Sequence, residues 1–139
     1  ALICARLGTG SITAIDRSAP IIGLAQQRNQ EHIAAGRARF LAVALEDAAL
    51  GDARFTKIFA FNVGAFERRP TRALDVVRGL LQPSGGLYLF FQPPRAELSP
   101  RIAERVAAQL QRNRFAVRAV QTADLPPAPA VCVLAHPSG

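Results

Sequence analysis

Four polar residues end or interrupt the apolar runs of this chain where chemistry can be done. Asp16 closes Ile12-Thr13-Ala14-Ile15, Glu46 and Asp47 follow Ala42-Val43-Ala44-Leu45, and Asn62 falls near the end of Lys57-Ile58-Phe59-Ala60-Phe61-Asn62-Val63. Short runs of apolar and β-branched residues bounded by turn formers are strand patterns. In parallel α/β sheets, ligands lie across the carboxyl ends of the strands, so an acid there can accept two hydrogen bonds from the hydroxyls of a ribose. Asp16 also has a second reading, in which it merely favours the positive N-terminus of the next helix. A buried Asn62 must find partners or cost about 1–3 kcal/mol. Those partners are either a ligand or a neighbouring loop.

The elements that must position these residues follow from the same pattern. Residues 1–7 read as the end of a helix closed at Gly8, and residues 12–15 as a strand. Ser18 can cap the next helix with Pro20 tolerated in its first turn, and that helix runs to about residue 35 before Gly36. Residues 39–44 and 57–63 are further strands, with 45–47 a loop. Over residues 70–81, Leu74, Val77 and Leu81 recur at helical steps opposite Arg72, Asp75 and Arg78.

Gln82-Pro83-Ser84-Gly85-Gly86 then stops the helix, the paired glycines allowing φ > 0. Residues 87–91 form a fourth strand ended by Pro93-Pro94, and Ser99-Pro100 opens a helix that buries Ile102, Val106 and Leu110. Strands 115–120 and 131–135 are joined too closely for a crossover helix, so they pair antiparallel at one edge. This order is an α/β layered sheet.

At 139 residues and 50% hydrophobic, the chain has the size of one domain with a core. No apolar run reaches 18 residues and no charged-then-apolar leader opens it, so neither a membrane span nor a signal peptide is visible and a soluble, cytoplasmic protein is expected. Cys4 and Cys132 have no Cys-x-x-Cys spacing, and His32 and His136 do not complete a ligand set, which leaves free structural thiols and no metal site. The net charge of +7 could answer an anionic partner. The arginines are scattered, however, with only Arg68, Arg69 and Arg72 clustered, and no aromatic residues interleave with them to stack bases. An arginine-rich solvated surface is the simpler reading, with nucleic acid as the lesser alternative.

Taken in order, these residues resemble the class I S-adenosylmethionine-dependent methyltransferases, whose Rossmann-like three-layer α/β sandwich has a mostly parallel sheet and an antiparallel last strand. Ile12-Thr13-Ala14-Ile15-Asp16-Arg17-Ser18 resembles the family's second strand with its ribose-binding acid. Ala42-Val43-Ala44-Leu45-Glu46-Asp47 resembles the third strand and adenine loop, and residues 54–63 resemble the fourth strand. Leu80-Leu81-Gln82-Pro83-Ser84-Gly85-Gly86 resembles the family's leucine, proline and paired-glycine signature, the most specific of these strings. The family's first strand and glycine-rich loop would precede Ala1, so the resemblance implies an N-terminally truncated domain whose sheet is completed by upstream chain, by a second copy in a homo-oligomer, or by direct closure of its neighbouring strands. Ala44 and Thr56 stand where the family commonly has acids.

The resemblance implies S-adenosylmethionine as cofactor and a small-molecule methyl acceptor. Asp16 would hold the ribose, while Arg17, Ala44, Leu45 and Glu46 would flank the adenine. Asn62 and Val63 would lie at the methionine and methyl region, and Phe66 would be either a wall of the acceptor pocket or core. Glu67 and His32 are the only nearby candidates for a general base, and a place in solvent is the simpler reading of both. A noncatalytic domain that keeps the fold as a binding module is the rival, favoured by Ala44 and Thr56. An RNA methyltransferase is a third reading.

Overall fold

The computed structural model describes residues 2–68 and 70–139; Ala1, and Arg69 of the arginine cluster, lie outside the described residues. The chain divides into two compact units, Ala1–Leu50 and Gly51–Gly139. Each strand pairs only within its own unit.

The first unit runs α1 (Leu2–Arg6), β1 (Ile12–Asp16), α2 (Ala19–Arg28), α3 (Gln30–Ala34) and β2 (Ala38–Ala42). β1 and β2 are parallel, in register from Ile12 opposite Ala38 to Asp16 opposite Ala42. The single helix expected up to residue 35 is broken at Asn29. Its side-chain Nδ2 donates to the carbonyl of Ala25 at 2.7 Å, taking the acceptor that its own N–H would use in an α-helix. The Asn29 N–H turns instead to Gln26 O at 3.1 Å, and the backbone leaves helical geometry at φ −127°, ψ 22°. Gly36, at φ +69°, closes α3 in the left-handed conformation that glycine adopts without strain.

Arg37 then joins two ends of this unit, donating to Gly8 O at 3.1 Å and to His32 Nδ1 at 3.0 Å. Because guanidinium has no acceptor, the His32 nitrogen must be the acceptor here.

The second unit comprises β3 (Phe55–Phe61), α4 (Ala65–Arg68), α5 (Pro70–Leu80), β4 (Leu81–Phe91), α6 (Ser99–Arg112), β5 (Phe115–Ala123) and β6 (Ala130–Pro137). Its sheet has the order β3-β4-β6-β5, with β3 and β4 parallel and β6 antiparallel to both its neighbours. The last two strands do pair antiparallel, β5 taking the edge. Alternation along the strands sends Leu87, Leu89 and Phe91 of β4 and Val131, Val133 and Ala135 of β6 into the core. Leu74 and Val77 of α5 and Val106 and Leu110 of α6 are buried too, from the stripes their spacing foretells.

Three details differ from expectation. Ser99 is not a cap: it is the first residue of α6, Leu98 occupies the cap position, and the buried Ser99 Oγ has no hydrogen-bond partner among the described residues. β1 and β3 are not paired directly, since they belong to different sheets. The paired glycines serve a purpose other than positive φ, since neither Gly85 nor Gly86 adopts it. Leu81 pairs with Phe55 and Gly86 with Lys57, so residues 82–85 loop out between them.

A Cβ on Gly85 would stand 2.9 Å from Gln82 O and 3.0 Å from Phe55 O. Both are backbone atoms, which cannot swing aside. Gly85→Ala is therefore expected to cost about 1–3 kcal/mol, the range for overpacking. A urea melt would show a lower midpoint at unchanged slope. An unchanged midpoint would contradict the close approach.

Candidate cofactor site

In the first unit, β1 delivers Asp16 to the carboxyl end of the β1–β2 pair. The Asp16 carbonyl accepts the Val43 N–H at 2.9 Å, so the turns leaving the two strands are tied together. Asp16 Oδ1 accepts the Ser18 N–H at 2.7 Å, and Ser18 Oγ in turn accepts the Ile21 N–H at 3.4 Å as the cap of α2. The two readings of Asp16 thus fall on different atoms. Oδ1 serves the helix entry, whereas Oδ2 has no hydrogen-bond partner among the described residues and the side chain is exposed. Arg17, also exposed, lies between Asp16 and the cap.

Leu45–Asp47, expected as a loop, is one turn of 3-10 helix. The Ala44 carbonyl accepts the Asp47 N–H at 3.1 Å and the Leu45 carbonyl accepts the Ala48 N–H at 3.3 Å. The Leu45 N–H and the Glu46 carboxylate make no hydrogen bond among the described residues. Adenine presents a ring-nitrogen acceptor beside an amine donor, so a free N–H next to a free carboxylate matches that edge. With Asp16 Oδ2 able to accept from a ribose hydroxyl, the donor and acceptor types at this end of the unit are those the nucleoside part of S-adenosylmethionine calls for, Ala44 notwithstanding.

In the second unit, Asn62 follows β3 with φ +51°, a left-handed conformation that asparagine tolerates better than most residues. It is exposed rather than buried, and its partner is a neighbouring turn: Oδ1 accepts the Gln92 N–H at 2.9 Å, while its own N–H donates to Phe90 O at 2.9 Å. Gln92 extends the network, Nε2 donating to Ala128 O at 2.7 Å and reaching Leu125 O and Pro126 O at 3.3 Å. Since Phe91 pairs with Val131, the loop over residues 124–129 lies at the carboxyl end of β4, and one amide straps it there. Gln92 was not foreseen from sequence. The available signal was a lone amide between an apolar strand and Pro93-Pro94, the placement that singled out Asn62.

Val63 is exposed beside Asn62. Phe66 is 4% exposed, so its ring belongs to the core of the second unit and is no open pocket wall. Both base candidates are engaged elsewhere. Glu67 Oε2 pairs with Arg105 Nη2 at 3.0 Å, and His32 accepts from Arg37.

Cys4 is buried and Cys132 half-buried, both free. Burial pushes the Cys132 thiol above its ordinary pKa, lowering its reactive thiolate fraction. At pH 8 it should alkylate several-fold more slowly in the folded chain than in urea; equal rates would contradict this. An open hollow of about 370 Å³ formed by residues 27–32 lies at the C-terminal end of α2, the end away from Asp16, and has no part in the site.

A family model described as a methyltransferase domain matches residues 1–89. No curated protein matches the chain. Among solved structures, the N-methyltransferase NodS from Bradyrhizobium japonicum WM9 is similar with a TM-score of 0.71 and 17% identity, over 93% of this chain and 74% of that one. Magnesium protoporphyrin IX methyltransferase ChlM from Synechocystis PCC 6803, solved with bound SAH, has a TM-score of 0.68 and 16% identity over 92% of this chain. This chain spans 64% of the ChlM chain, under two thirds of its length. The cyclase SpnF has a TM-score of 0.76 and 17% identity, over 99% of this chain and 70% of its own. At such identities the likeness is one of fold, the Rossmann-like α/β fold that the order of elements implies.

Proposed function

The chain belongs to the methyltransferase domain family, and from that membership we propose that it methylates a small-molecule acceptor with S-adenosylmethionine as donor. The observation that carries the reading is the exposed Asp16 carboxylate at the end of β1, oriented through Oδ1 by Ser18 and with Oδ2 left for a ligand. Bound S-adenosylmethionine supplies an electrophilic sulfonium methyl for in-line attack by a nucleophilic atom of the acceptor. Asp16 holds the ribose, the Leu45 N–H and Glu46 carboxylate hold the adenine edge, and Ala44 and Arg17 flank it. Asn62 and Val63, in the second unit, are assigned to the methionine and methyl region by the family resemblance.

Transfer of this kind needs approach geometry and exclusion of water more than a dedicated base, and positioning alone can supply several kcal/mol. That suits a chain in which Glu67 and His32 are already engaged. Ala44 and Thr56 support the noncatalytic rival, yet the partnerless Leu45 N–H and Glu46 carboxylate offer the adenine contact that Ala44 lacks. The free thiols Cys4 and Cys132 suit a reducing compartment, the cytoplasm.

The acceptor class is tested by incubating the protein with methyl-labelled S-adenosylmethionine and a cell extract separated into small molecules, RNA and protein. Label in the small-molecule fraction is expected. Label confined to RNA would overturn the acceptor assignment and favour the third reading.

A further inference from the structure

Asn62, Val63 and Gly64 leave the carboxyl end of β3, and Arg68 closes the short helix that follows. The Arg68 guanidinium folds back over Gly64. A Cβ at that glycine would stand 2.5 Å from Nη2 and 3.2 Å from both Cζ and Nε, so the planar group occupies the space a side chain would need. No acidic group among the described residues pairs with it there. Its neighbour Glu67 is bonded to Arg105 at 3.0 Å, and Arg68 itself makes no hydrogen bond or ion pair among the described residues. Two residues before Gly64, Asn62 has Oδ1 committed to Gln92, while both N–H groups of Nδ2 are without a partner among the described residues.

A planar fork of N–H donors and a second amide donor are thus brought to the end of the sheet where α/β folds bind ligands. Guanidinium pairs in two-pronged fashion with carboxylate, and such charge-assisted bonds are roughly twice as strong as neutral ones.

We propose that Arg68, seated on Gly64 and assisted by Asn62 Nδ2, is a subsite for a ligand carboxylate. The inference deepens the methyltransferase reading, because two carboxylates could enter: the one on the methionine part of S-adenosylmethionine, or one on the methyl acceptor. Gly64 matters because any side chain there displaces the guanidinium while leaving its charge in place. Since the displaced atoms are the far end of a flexible side chain, Gly64→Ala keeps the fold, as an unchanged Tm would verify.

The test is to titrate the wild-type chain, Arg68→Gln and Gly64→Ala with three probes: S-adenosylmethionine, methylthioadenosine (which has the nucleoside but no carboxylate) and benzoate. Both variants are expected to weaken a carboxylate-bearing probe about tenfold, as loss of a charge-assisted bond would, and to leave methylthioadenosine unchanged. Weakening confined to S-adenosylmethionine assigns the subsite to the cofactor, and weakening confined to benzoate assigns it to the acceptor. Unchanged affinity for both, an equal loss for methylthioadenosine, or no carboxylate binding to the wild-type chain would overturn the proposal. Methylthioadenosine failing to bind wild type while benzoate binds and responds to the variants would strike the cofactor reading alone.

Discussion

Asp16→Ala is expected to weaken S-adenosylhomocysteine binding by at least about tenfold. Hydrogen bonds to a charged group contribute about 1.5–3 kcal/mol, and each 1.4 kcal/mol is a factor of about ten in affinity. Alanine also releases the Ser18 N–H that Oδ1 accepts at 2.7 Å, so part of any loss could come from a loosened entry to α2. Asp16→Asn separates the two effects. The amide oxygen can still accept from Ser18, so thermal stability should stay close to wild type while the charged acceptor for a ribose hydroxyl is gone. A matching loss of affinity in Asp16→Asn, measured by calorimetry at unchanged Tm, assigns the effect to the ligand. Undiminished affinity in both variants would remove Asp16 from the site.

Phe115→Ala is expected to be the most damaging single truncation in the second unit, at about 3–5 kcal/mol. Phe115 opens β5 only 1% exposed, and protein interiors are packed closely enough that neighbours refill such a space only in part. Domains are stable by only about 5–15 kcal/mol, so this one change can unfold a large share of the molecules. Phe61→Ala is the matched control. That ring is 52% exposed and stacks on Phe90 at 6.4 Å, so its loss should cost about 1 kcal/mol or less. Urea melts of the two variants check the contrast, and similar midpoints would contradict the placement of the core.

The difference between those phenylalanines marks how far the sequence could be read. Periodicity revealed α5 and α6, because burying one face imposes a repeat on the residue types themselves, while short apolar runs beside turn formers revealed the strands at 87–91 and 131–135. The break between α2 and α3 left no such trace. It depends on which carbonyl the Asn29 side chain reaches, and asparagine is equally at home on a solvated helix face. Gly85 was visible as a glycine, but its reason, the nearness of Phe55 O, exists only once residues 82–85 loop out of the β3–β4 pairing.

The site was legible to the same degree. Asp16 and Asn62 stood out because polar residues at strand ends are conspicuous against apolar runs. What each bonds to was not. Asp16 Oδ1 looks forward two residues to Ser18, a local contact that the cap pattern almost implies, whereas Asn62 reaches Gln92 and Gln92 reaches Ala128. Those partners are brought together by β4 and β6 lying side by side, which no local pattern encodes. Phe66 was ambiguous for the same reason, since a phenylalanine looks alike in sequence whether it lines a pocket or fills a core.

The most direct test of the methyltransferase reading is a calorimetric titration of the 139-residue chain with S-adenosylhomocysteine. Saturable one-to-one binding in the micromolar range, lost or at least tenfold weaker in Asp16→Ala and Asp16→Asn, is the expected result. No heat at millimolar ligand, from a chain that still unfolds cooperatively, would contradict it.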